Sequence, residues 1–160
     1  MAERVFITGY GIVSSIGLNS DETLSSVFSG KTGIGEITIL ETLHKGKLPL
    51  AEVKKSTAEL LALAGYPGKK DLTRTAILGI IAATEAVHSA RLIKEDLLHT
   101  GFISATTVGG MDRSERFYEK FLQAPNNSGS VYPNSPNSGV FVFPTMFNPV
   151  FLYLFTRSES

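Results

Sequence analysis

The chain contains no cysteine, so disulfides, thiolate metal sites and a cysteine nucleophile are excluded from its 160 residues. Charge of either sign is not in surplus. Fifteen Lys and Arg balance fifteen Asp and Glu, which leaves no electrostatic footprint for nucleic acid or an anionic membrane. The longest apolar cluster, residues 140–155, is interrupted by Pro144, Asn148 and Pro149 and is too short and broken for a membrane span. Residues 1–4 lead directly into a short strand, without the three-part form of a signal peptide. A cytoplasmic location is the resulting expectation. The three histidines, His44, His88 and His99, lack ligand spacing, so neither a metal nor a cofactor is expected.

What is present suffices for one domain with a core: 42% of the residues are apolar and 19% charged. Residues 5–17, Val-Phe-Ile-Thr-Gly-Tyr-Gly-Ile-Val-Ser-Ser-Ile-Gly, organise the rest. A β-rich run over 4–8 passes into glycines 9, 11 and 17, and Asn19, Ser20 and Asp21 then offer caps for a helix over 20–28. Leu24, Val27 and Phe28 form that helix's apolar face. Residues 29–35, with three more glycines, mark a chain reversal.

A short strand is expected over 36–41 and a short helix over 57–64. A long helix follows over 73–90, apolar nearly all round and therefore expected to be buried. Residues 92–98 read as a linker or loose turn, 100–106 as a second core strand, and 113–122 as a helix after a glycine turn. This order implies an α/β layered domain. From 123 the chain becomes rich in Pro, Asn, Ser and Phe. Local propensity and hydrophobic pattern disagree there, which argues against a well-specified element.

The glycines do not make a dinucleotide fingerprint. Counting from Gly9, the third glycine would fall at position 14, where Ser14 stands. Nor does a phosphate loop follow. Tight turning and close backbone packing explain the glycines without a ligand. His88 is expected to be a hydrogen-bonded structural histidine and His99 an exposed loop residue. Asp112, Glu115 and Glu119 are expected on a solvated face. Arg74, beside so apolar a helix, needs a partner or must snorkel.

Four stretches carry a resemblance: residues 5–17, Ser29-Gly30-Lys31-Thr32-Gly33-Ile34, the helix over 73–90, and Ser104-Ala105-Thr106-Thr107-Val108-Gly109-Gly110-Met111. In this order they resemble the early part of the β-ketoacyl-(acyl carrier protein) synthases, condensing enzymes with a thiolase-like fold, over residues 3–122. The resemblance implies an incomplete N-terminal half of that layered α/β fold, a mixed sheet packed against a buried helix. It also implies decarboxylative condensation of an acyl thioester with malonyl-acyl carrier protein, in fatty acid or polyketide synthesis. The family's nucleophilic cysteine and two catalytic histidines have no counterpart here, so the chain alone is expected to be inactive.

Val108 matches a loop position that lines the family's acyl pocket, and Gly109 and Gly110 let that loop approach closely. These three are the candidate substrate-binding residues. Packing in a subunit interface is the competing role for Val108. The implied partners are an acyl carrier protein and a second subunit, identical or not. The tail over 123–160 departs from the family, and a truncated or frame-shifted gene product is the expected explanation over a natural short variant. A chain-length-factor-like partner subunit and a small nucleotide-binding domain are the alternatives.

Overall fold

The architecture is taken from a computed structural model. It describes residues 6–69, 72–104, 115, 118, 122, 123 and 153–156. The elements with defined bounds are α1 Ser20–Phe28, β1 Ile34–Gly35, β2 Leu50–Ala51, α2 Thr57–Leu63, α3 Arg74–Ser89, α4 Lys94–Leu97, β3 Thr100–Ile103 and β4 Tyr153–Thr156. The fold is mixed α/β.

Helix α3 forms where the apolar run of 76–87 meets a usable cap. The Thr73 hydroxyl accepts from the Ala76 N–H, satisfying one of the first-turn donors. Helix α2 starts with a reciprocal capping box, the Ser56 hydroxyl accepting from Glu59 N and the Glu59 carboxylate from Ser56 N. The two helices then pack, burying Leu60, Leu61 and Ile77 with Val53, Ala64, Leu72, Leu78 and Ile81 around them. A second cluster further along α3 centres on Ala86, with Ala83, Val87 and Leu92.

Three helices end in the same way. After α1, Gly30 sits at φ 67° while Lys31 N donates to Ser26 O and Gly30 N to Val27 O. After α2, Gly65 (φ 80°) and Tyr66 repeat the pattern. This is the left-handed termination that glycine favours. After α3 the left-handed position is held by Arg91, at φ 56°, and Leu92 N closes on Val87 O. Leu92 and Val87 both pack against Ala86, so the residue after the turn returns to the apolar side of the helix end. An L-residue with a Cβ is disfavoured in that conformation. Arg91→Gly is therefore expected to raise stability by about 1 kcal/mol, measured as a higher midpoint of chemical unfolding.

The structure corrects several expectations. Residues 6–8 enter no sheet ladder. The strand expected over 36–41 is absent, and β1 lies just before it, paired antiparallel with β2 (Ile34 with Ala51, Gly35 with Leu50). The backbone N–H groups of 38–40 go instead to a carboxylate, described below. Residues 94–97 are helical where a loose turn was expected. Strand β3 stops at Ile103 and pairs antiparallel with β4, Thr100 opposite Thr156 and Ile103 opposite Tyr153. Four residues of the tail thus form an element that local pattern did not announce, and β4 also lies against α3.

In place of one mixed sheet, the described residues form two separate two-stranded antiparallel sheets. Helix α3 is half-covered: only Ile77, Ala82 and Ala86 are buried on it. Phe102 on β3 is largely exposed, so β3 is not a core strand. Helix α1 has its expected bounds but turns its apolar face outward. Leu24 and Val27 are more than half exposed, Phe28 is 82% exposed, and the buried residue is Ser26, whose hydroxyl donates to Ile16 O at 2.7 Å. Of the helix expected over 113–122, the described residues 115, 118 and 122 are helical, as is 123; its other residues lie outside the described ones.

Candidate functional site

In an extended segment, residues two apart face the same way. Gly9, Gly11 and Val13 are buried, while Tyr10 between the glycines is exposed. The buried side lies on α3 at a row of alanines. A Cβ at Gly9 would stand 2.5 Å from Ala86 O and 2.7 Å from the Ala90 methyl. At Gly11 it would meet Ala82 O and stand 2.9 Å from Ala86 N. The segment therefore approaches the helix backbone itself, at a distance only glycine permits. Ala82, Ala86 and Ala90, four apart, supply the matching flat stripe.

Glu85 locks this contact. It is the only charged side chain between Thr75 and Val87, and its carboxylate accepts from Ile12 N at 2.9 Å, from Ser20 N at 2.6 Å and from the Ser20 hydroxyl. One side chain thus joins the glycine segment, the first turn of α1 and α3. The remaining glycines of the turn are also occupied by the chain. A Cβ at Gly17 would meet Thr23, and one at Gly33 would meet Ser15. The first turn of α1 is capped from within, Asn19 Oδ1 accepting from Glu22 N and the Glu22 carboxylate from Leu18 N. Glycines that face protein atoms, beside a helix end already capped, leave no cradle for a phosphate.

A second carboxylate sits after β2. Glu52 is 7% exposed and accepts from Thr38 N (2.9 Å), the Thr38 hydroxyl (2.9 Å), Ile39 N (3.0 Å) and Leu40 N (2.6 Å). Burial alone would raise its pKa, but the backbone donors of Thr38, Leu40 and Ile39 outweigh it and hold the carboxyl at about 2. Arg74, at the start of α3, donates to Val53 O (2.7 Å) and Lys55 O (2.8 Å). Burial lowers its pKa and the nearby Glu52 charge opposes that shift. The partner expected for Arg74 is thus a pair of carbonyls beyond β2.

Because the folded-state pKa of Glu52 lies below its unfolded value, its contribution is fully present above about pH 4.5 and is lost as pH falls toward about 2. The contribution is about 2 kcal/mol at neutral pH. Glu59 titrates in the same window: the Ser56 backbone donor, the Lys55 ammonium and the Ser56 hydroxyl hold its carboxyl at about 2. Glu52→Gln isolates the first share. The variant is expected to lose stability at pH 7 and to show a shallower fall between pH 4.5 and 2, read from urea unfolding at each pH.

Val108, Gly109 and Gly110 lie outside the described residues, as do Asp112 and Glu119. Glu115 is exposed, as expected. His44, His88 and His99 are all exposed. For His88 this corrects the expected structural role, because α3 turns that position to solvent near its C-terminus, where a basic group suits the helix dipole. Among the described residues, no group of three or more His, Cys, Asp or Glu is placed to hold a metal ion, and no helix is long and apolar enough to cross a membrane.

Sequence reasoning overlooked both Glu85 and Glu52. The available signal was the same for each, one acidic residue inside an otherwise apolar stretch. Both carboxylates are engaged by backbone donors, so chemically they are anchors. Comparison with protein-family models, with curated proteins and with solved structures returned no match.

Proposed function

We propose that the chain is the N-terminal portion of a condensing enzyme of the β-ketoacyl-(acyl carrier protein) synthase type, with the thiolase-like layering of that family as its finer fold. The observation that carries this reading is the meeting of residues 9–12 with α3. Two of the four stretches that resemble the family touch through glycines on alanines and a shared carboxylate, Ile12 and Glu85 being 73 positions apart in sequence.

The reaction proposed for the complete enzyme is decarboxylative condensation of an acyl thioester with a malonyl thioester on an acyl carrier protein. Such chemistry needs an activated nucleophile and donors for the developing oxyanion. This chain has no cysteine, so by itself it forms no acyl-enzyme and condenses nothing. Its proposed contribution is the first layer of the core and, through Val108, Gly109 and Gly110, one wall of the acyl pocket. A branched side chain at 108 would limit acyl length by volume.

The outward apolar face of α1, together with exposed Phe6 and Ile7, supports a requirement for further protein, from the same polypeptide or a second subunit. The absence of cysteine also favours a second reading, a non-catalytic subunit of the chain-length-factor type. A cytoplasmic setting goes with either.

Two measurements test this. Incubating the purified chain with acyl- and malonyl-acyl carrier protein is expected to give no 3-oxoacyl product, and its formation would contradict the reading. The coding DNA beyond the codon for Gln123, read in all three frames, is expected to encode a cysteine followed by two histidines. A family-like continuation without the cysteine would favour the second reading, and no such continuation in any frame would sink both.

A further inference from the structure

The segment after β1 is held mainly by polar contacts. Ile37 is buried, but Glu36, Thr38, Ile39 and Leu40 are exposed, so apolar burial fixes it through one side chain. Its other attachment is the Glu52 carboxylate. Three successive backbone N–H groups and one hydroxyl converge on that group, and Ile39 N reaches both oxygens, at 3.0 and 3.1 Å. Consecutive N–H groups aimed at one point form an anion-binding concavity.

We infer that residues 38–40 form an anion-binding nest whose resident ligand is the chain's own Glu52 carboxylate, and that the vacated nest takes a small free carboxylate such as formate or acetate. Among the described residues no cation lies within ion-pair distance of Glu52, so recognition rests on directed donors and not on a point charge. Donors serving both oxygens match a planar, two-oxygen anion and discriminate against a spherical one. The charged groups around the nest are Arg74 from α3, Lys45, whose ammonium donates to Thr38 O at 3.1 Å, Glu41 beside Lys45 at 4.0 Å, and Lys54 beside β1. The nest is therefore a clasp. Withdrawing the anion releases 38–40 and uncovers Ile37.

Glu52→Ala empties the nest without adding a competing acceptor. Amide exchange followed by NMR at neutral pH is expected to speed up at least tenfold at Thr38, Ile39 and Leu40. Formate is expected to slow it again, saturably, while chloride at equal ionic strength does not. Exchange as slow as in the unaltered chain would overturn the inference, and so would formate acting no better than chloride. If the variant does not fold, the unaltered chain decides. Its Thr38, Ile39 and Leu40 amide resonances are expected to move together with the Glu52 carboxyl carbon across one protonation as pH is lowered. Amide resonances that ignore that protonation would contradict the nest.

Discussion

Replacing Gly11 by alanine is expected to destabilise the fold by about 3 kcal/mol, a large effect for a single methyl group. The new Cβ would meet Ala82 O and stand 2.9 Å from Ala86 N. Both neighbours are backbone atoms in the middle of a hydrogen-bonded helix, so neither can yield without breaking α3 or expelling the segment. Gly30→Ala is the control. There φ is 67° but nothing lies within 4 Å of the added carbon, so the cost is conformational only, about 1 kcal/mol. Chemical unfolding of the two variants separates steric closeness from backbone freedom. Equal losses would show that Gly11 is not pressed against the helix.

Glu85→Ala is expected to cost about 2–3 kcal/mol. The substitution removes a charged acceptor that serves Ile12 N, Ser20 N and the Ser20 hydroxyl, and leaves two half-buried N–H groups unpaired. Glu85→Gln keeps one oxygen and is expected to lose roughly half as much. The two sites also differ in how they fail. Gly11→Ala forces the surfaces apart, whereas Glu85→Ala leaves the surfaces complementary and removes the tie. Because they serve one contact, the double variant is expected to lose less than the sum of the single losses.

What could be read in the sequence follows the range of the interactions involved. The bounds of α1, α2 and α3 rest on local chemistry: Asn19, Ser56 and Thr73 as caps, Gly30 and Gly65 as terminators. These were legible. Arg91 was not, because it occupies a terminator's place without a terminator's side chain. The strand expected over 36–41 failed for a non-local reason. Glu52, 12 to 14 positions away, takes the N–H groups a ladder would have used. β3 was partly legible, but its partner β4 lies about 50 residues away in the tail, and pairing over that distance leaves no local trace.

The apolar face of α1 was read correctly as a face. Its direction was not, since amphipathicity says which side chains share a surface and not what covers them. The glycine segment was the most informative stretch. Spacing alone removed the dinucleotide reading at Ser14, and the structure supplies the positive explanation, a stripe of alanines on α3. The three residues proposed for the acyl pocket rest on resemblance alone.

The central claim is that Gly9 and Gly11 lie against α3 and serve packing instead of phosphate binding. Nuclear Overhauser contacts test it most directly, measured between the glycine α-protons and the methyl groups of Ala82, Ala86 and Ala90 with and without added ATP or NADH. Strong contacts from both glycines, unchanged by either nucleotide, are predicted. Missing contacts, or glycine signals that shift saturably with nucleotide, would contradict the account.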